Sequence, residues 1–466
     1  MKIAVIPIDN RPICYDLIQD VLSIDKNIEL FMPEIGVMGG LTTQSDRNKI
    51  LDFLNKINHV DYLIVSLDTV AYGGLVSSRR CEDNIEEIKN NLNEFKKLAK
   101  SHADKILAFS SVMRISNNNI NEEEKPYWNK YGKEIFNWSY EFHKTRSQGA
   151  DKPICKIPDE IMEDYLSTRK RNFEINKIYL DWAKEGFFDT LIFSKDDCAE
   201  FGLNVLEAQE LQKITDKNNL NNVFIKTGAD EIPLGLISRA LTKNNDIKIN
   251  PVFLEENSID LISKYEDISV KNCVLGQIAL SGCKVDKNGV DLIVNNFKKE
   301  QGDLVLGDII NNIDTNIDFK NKQFLIADIN NANGSDNNFI KQLFKQKTDN
   351  FLGYCGYNTS ANSLGCCLFC AIVKLISIKN KTYNDNSFKK FQFIRFLDDW
   401  AYQSNVRKYV RENANNKEEY NLRLKEKEEE LNKFAKEISK FLNYYPDKIN
   451  YSLPWERSFE IRISII

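Results

Sequence analysis

Two aspartates, Asp196-Asp197, stand side by side behind the apolar run DTLIF. Neighbouring carboxylates in a partly dry pocket repel, so one holds a proton near neutral pH and can act as a general acid while the other stays charged. The same pair would equally serve as an N-cap and a solvated acid ahead of a helix near Asn204. A second acidic pair, Asp230-Glu231 in TGADEIP, precedes a helix starting near Pro233, where capping explains more. Other polar side chains fall at the ends of apolar runs: Asp9, Asn10 and Arg11 after the first, Asp68 and Arg79 after the second, Arg114 after the third. Asp328 leads into Asn333 and Asp336, and the last run ends in Asn358 and Asn362, four apart and on one face if a helix has begun. Such groups bind hydroxyl, acetamido or carboxylate groups. Gly39-Gly40 and Gly73-Gly74 allow close backbone approach to a ligand, but neither GxxxxGK[ST] nor GxGxxG follows the first run, so no nucleotide cofactor is expected.

The elements that must hold these residues are short β-rich runs between longer amphipathic stretches, the pattern of alternating β and α units. Eight runs are read: 3–8, 62–67, 106–110, 190–194, 223–226, 249–254, 324–329 and 351–355, with a short extra strand at 28–31. Eight units predict an α/β fold, a (β/α)8 TIM-barrel-like domain over 1–378, with an open doubly wound sheet as the other solution. In either, the polar run ends share one mouth. A helical insertion is expected at 117–186 and a mixed one at 257–321. The region 379–466 reads as helical: one long charged helix through Ala414 and an amphipathic one from Lys417 to Leu442.

Composition narrows the chemistry. The chain has 466 residues, a net charge of -5 and 42% hydrophobic residues, with Lys+Arg 63 against Asp+Glu 68, so it carries no basic footprint for nucleic acid. No uninterrupted apolar window reaches the ~20 residues of a membrane span, and MKIAVIPIDNRP is too soon polar for an export signal, so a cytoplasmic protein is expected. The ten Cys are scattered and read as reduced core residues. Three His (His59, His102, His143) lack neighbouring chemistry, which disfavours a His-centred triad or His-rich metal site. No metal or other cofactor is expected, and carboxylates would carry any catalysis.

The stretches VSLDTVAYGGLVSSR, FSKDDCAEFG, TGADEIPLGLISRA, GYNTSANSLG, RFLDDWAYQ and LPWERSFEI resemble the signatures of a bacterial family, domain of unknown function 4127, from Ile3 to Glu460. The Asp-Asp pair after the fourth run, Thr-Gly after the fifth, an Asp/Asn-rich loop and a final Asn-containing loop are also similar to hyaluronidase-like and O-GlcNAcase-type N-acetylhexosaminidases. That resemblance implies that Asp196 orients the substrate's acetamido group, which attacks the anomeric carbon, while Asp197 is the general acid/base. The leading expectation is therefore a glycoside hydrolase-like enzyme acting on a small-molecule or oligosaccharide substrate. Asp9, Asn10, Arg11, Asp68, Arg79, Arg114, Asp230, Glu231, Asn333, Asp336, Asn358 and Asn362 would bind that substrate. A Mg²⁺- or Mn²⁺-dependent hydrolase or lyase using Asp9, Asp68, Asp196, Asp197 and Asp230 is the first alternative. A non-catalytic sugar- or metabolite-binding protein is the second.

Overall fold

The β-branched apolar runs become strands buried on both faces, as parallel sheets covered by helices require. The computed structural model describes residues 1–148, 156–196, 198–305, 307, 322–346, 349–414 and 416–466. They divide into two units, one comprising 1–10 and 29–236, the other 11–28 and 237–466.

In the first unit, β1 (Lys2–Ile6), β2 (Glu29–Phe31), β3 (Val60–Ser66), β4 (Ala103–Val112), β5 (Thr190–Lys195) and β6 (Val223–Thr227) form one parallel sheet in the order β2-β1-β3-β4-β5-β6. The segment 117–186 supplies two long helices, Trp128–Gln148 and Asp159–Lys184.

The second unit contains β7 (Lys248–Phe253), β8 (Lys284–Val285), β9 (Val290–Asn295), β10 (Gly302–Asp303), β11 (Phe324–Asp328), β12 (Asn331–Ala332), β13 (Phe351–Cys355), β14 (Ile449–Ser452) and β15 (Arg462–Ile465). Five of these form a parallel sheet ordered β13-β11-β9-β7-β8, while β10 pairs with β12 and β14 with β15. Counted by appearance, the first sheet follows 2-1-3-4-5-6 and the second 2-1-3-4-5, the doubly wound order in which the winding reverses beside the first strand.

The fold is thus mixed α/β with parallel sheets. The expected closed barrel does not form among the described residues: the strands divide between two open sheets, each with free edges. All eight runs are strands, but β8 and β9, inside the 257–321 segment, escape a reading based on apolar run length. β9 carries Asp291 and Asn295 near its ends, and β8 is two exposed residues.

Two helices of the second unit matter for its site. Ser360–Asn380 is long and apolar enough to cross a membrane, yet 83% of its apolar window is buried inside the protein. Phe396–Val406 is an eleven-residue π-helix where a regular helix is expected. Its wider turn stacks side chains five apart: Gln403 Nε2 donates to Asp398 Oδ1 (3.0 Å), Ser404 Oγ to the Asp399 carbonyl (3.1 Å) and Asn405 Nδ2 to the Trp400 carbonyl (2.8 Å). The helix Asp16–Leu22 packs on Ser360–Asn380 and on Asp385–Arg395. The nine cysteines among the described residues are buried free thiols.

Candidate functional site

The expected site residues fall in both units, in the loops and helices that follow the strands. In the first unit, Asp9 is buried, and the Asn10 amide donates to the Gly39 carbonyl at 3.1 Å. The glycine pairs serve the protein's own backbone. A Cβ on Gly39 would stand 2.5 Å from the Gly73 carbonyl oxygen, and Gly73 (φ +86°) abuts Gln44 in the same way. Thr69 Oγ1 donates to the Pro7 carbonyl (2.7 Å), so chain segments fill the crevice between the ends of β1 and β3.

Asp68 is buried. Its Oδ2 accepts the Ser111 amide (2.8 Å), and its Oδ1 lies 3.4 Å from the Ser110 hydroxyl oxygen. Burial outweighs both and pushes its carboxyl up to about 6. These contacts tie the start of a helix to β4.

Glu231 also turns inward. Its Oε2 accepts the Ala229 amide (3.1 Å), and its carboxylate occupies the space that a Cβ on Gly228 would need. Asp230 beside it is buried.

Arg79 and Arg114 share two acids that the sequence reading missed. Glu123 Oε2 lies 3.2 Å from Arg79 Nη2 and 2.7 Å from Arg114 Nη2, and Glu124 Oε1 lies 3.1 and 3.0 Å from their Nε atoms. Their only signal was the acidic run Glu122-Glu123-Glu124 at the mouth of the helical insertion. Arg114 Nη1 reaches onward to Asp196 Oδ2 at 3.4 Å. Asp196, just past β5, keeps its side chain 20% exposed, and its Oδ1 has no partner among the described residues. This arrangement holds one carboxylate oxygen on Arg114 and offers the other to a donor. Asp197 lies outside the described residues.

In the second unit, Asp336 is a buried N-cap: Oδ1 accepts the amides of Asn338 (2.9 Å) and Phe339 (3.2 Å), and Oδ2 accepts Asn330 Nδ2 (3.0 Å). Its own amide donates to Asp328 Oδ2 (2.8 Å). Burial, then the Asp336 charge, raises the Asp328 carboxyl. Both carboxylates are fully buried, so they brace the loop after β11 and are closed to a substrate. Below the π-helix, Arg395 bridges Asp398 (2.8 Å) and Asp399 (3.0 Å), and Asp399 Oδ2 accepts the Gly356 amide (2.8 Å).

Two left-handed residues that are not glycine meet at one carboxylate, and a third joins through the backbone of the second. Tyr265 (φ 68°) donates its hydroxyl to Asp303 (2.6 Å), Asn333 (φ 64°) donates Nδ2 to Asp303 (3.1 Å), and the Asn333 amide donates to the carbonyl of Asn358 (φ 69°) at 2.8 Å. Such strain persists where surrounding contacts over-determine it, and it gathers at ligand sites. The side-chain amides of Asn358 and Asn362 have no partner among the described residues, although Asn362 is 7% exposed and its Oδ1 is sealed from solvent. Arg11 stacks on the Trp455 ring at 4.9 Å, and Arg457 lies at 4.9 Å from the same ring and 5.3 Å from Phe459. Trp455, Arg457 and Phe459 were not expected at a site, although LPWERSFEI contains them.

Among the described residues no group of three or more His, Cys, Asp or Glu side chains converges as a metal-ligand set. No curated protein and no protein of solved structure matches the chain. Residues 3–464 match the family described as Protein of unknown function (DUF4127), and the chain belongs to that family.

Proposed function

We propose that the chain is a hydrolase of the glycoside class whose acid chemistry resides at the carboxyl edge of the first sheet. The observation that carries this reading is Asp196, anchored through Oδ2 by Arg114 and open at Oδ1. A carboxylate held on one side by a guanidinium keeps its other oxygen open to accept an N–H, the task of a residue that orients an acetamido group. Asp197, its neighbour in the chain, is the nominated acid/base. The acetamido oxygen attacks the anomeric carbon as the glycosidic bond breaks, Asp197 protonates the departing oxygen, and water then opens the cyclic intermediate with the proton returning to Asp197. The sheets being open, the reading rests on these side chains and not on a barrel.

The test is hydrolysis of aryl N-acetylhexosaminides by the full chain and by Asp197→Asn. Loss of the acid/base should lower kcat by about 10²–10⁴. Equal turnover by both proteins overturns the assignment. Activity abolished by a chelator and restored by Mg²⁺ or Mn²⁺ selects the metal-dependent alternative.

A further inference from the structure

The helix Leu203–Lys217, which follows β5 and the Asp196 loop, begins at Gly202, a residue with no side chain to cap it. The first amides of a helix need acceptors from outside its own ladder. Two come from the helix Trp128–Gln148, where Ser139 and His143 are buried one turn apart on one face. Ser139 Oγ accepts the Leu203 amide (2.8 Å), and His143 Nδ1 accepts the Gly202 amide (3.1 Å). The Phe201 ring stands edge-on to the rings of His143 and Tyr140, with centres 5.2 and 5.3 Å away. The same turn reaches Asp196: Asn204 Nδ2 donates to Cys198 Sγ (3.6 Å), and Cys198 Sγ to the Asp196 carbonyl (3.9 Å). The helix start that His143 fastens is thus joined, through two side chains, to the backbone of the residue that Arg114 holds.

An imidazole that accepts at Nδ1 carries its one proton on Nε2, whereas imidazolium donates at both nitrogens. Protonation of His143 therefore sets two N–H groups against each other at Gly202. It also puts a positive charge at the start of a helix, where the backbone is already positive. Both effects favour the neutral ring. Burial, with the charge of Arg146 three residues on, lowers its titration below the ordinary histidine value. No acid offsets this: Glu200 in the loop is exposed, and Glu207 in the capped helix is held by Arg169 at 2.6 Å. The clamp is therefore present above about pH 6.5 and is lost as pH falls through the lowered value.

We propose that His143 is a positioning residue that, when neutral, clamps the loop carrying Asp196 and, when protonated, releases it. The proton enters at Nδ1, the Gly202 amide loses its acceptor, and the link from Asn204 through Cys198 to Asp196 loosens with it. Only the effect on turnover rests on reading Asp196 as the residue that orients an acetamido group.

Hydrogen exchange of the full chain, read by mass spectrometry at about pH 7.5 and about pH 4.5 and corrected for the intrinsic pH dependence of amide exchange, tests the clamp. Exchange over 198–206 in the wild type should be about tenfold or more faster at the lower pH, while β4 stays slow at both. His143→Asn keeps an acceptor near the position of Nδ1 that does not titrate, so it should exchange slowly at both. His143→Ala, which has no acceptor, should exchange fast at both. The proposal is overturned by a wild type without the pH step or with one that β4 shares. It is equally overturned if His143→Asn exchanges as fast as the wild type at the lower pH, or if His143→Ala is as slow as the wild type at the higher. Should His143→Ala fail to fold, the other two proteins decide. A pH step without hydrolysis of aryl N-acetylhexosaminides refutes the reading of Asp196 and leaves the clamp standing, whereas a missing step refutes the clamp alone.

Discussion

Replacing Asp68 by Asn should stabilise the first unit at neutral pH, although it removes a charge that accepts the Ser111 amide. The Asp68 side chain is 1% exposed, and its carboxyl is raised from 3.8 to about 6, chiefly by desolvation, against Ser111, Ser110 and the nearby Arg79. The folded state therefore holds this proton more tightly than the unfolded chain does. The resulting stability is fully present below about pH 3.8 and is lost as pH rises through about 6. A gap of about two units corresponds to roughly 3 kcal/mol. Asparagine keeps the shape. Its oxygen can accept the Ser111 amide, and its NH2 can donate to the Ser110 hydroxyl, which itself donates to Asn176 Oδ1 at 2.8 Å. Urea unfolding of wild type and Asp68→Asn, followed by circular dichroism at several pH values between 4 and 7.5, measures the difference. The two proteins should agree near pH 4, and the variant should gain as pH rises. Parallel profiles, or a variant that is less stable at pH 7.5, would refute the reasoning.

Arg395→Met should destabilise the second unit by about 3–5 kcal/mol, because Asp398 and Asp399 would lose the cation they share; chemical denaturation reads the loss. Asp336→Ala removes an N-cap and the acceptor of Asn330, and a loss of at least about 1 kcal/mol should appear as a lowered Tm. Gly228→Ala combines φ +115° with a Cβ placed on the Glu231 carboxylate and should cost more than about 1 kcal/mol, read in the same way. Gly36→Ala, where a Cβ meets nothing within 4 Å, is the control and should leave the Tm near that of wild type.

The strands were legible because buried parallel strands are continuous apolar runs, and Ile3–Ile6, Leu63–Val65 and Leu325–Ala327 contain no polar interruption. β9 was not, and its absence left a count of eight that suggested closure. With β9 and β8 in place, one winding order appears twice. The π-helix is invisible in composition, since FLDDWAYQSNV suits a regular helix as well. Polar run ends were correctly found but incompletely interpreted: Asp336 and Glu231 satisfy neighbouring backbone amides, a use that shares residue types and position with ligand binding. What distinguishes Asp196, Asn358 and Asn362 is an oxygen or amide without a protein partner, and that depends on neighbours distant in sequence.

Residues 11–28 belong to the second unit although they lie between the first two strands of the first. On a ribosome, the helix Asp16–Leu22 therefore emerges long before the helices Ser360–Asn380 and Asp385–Arg395 on which it packs. At about 5–20 residues per second, that wait is roughly 20 to 75 s. Throughout it, Leu17, Ile18, Val21 and Leu22, all buried in the finished protein, lack their final neighbours. The nascent chain thus carries an early apolar segment that a chaperone would have to shield until translation nears its end.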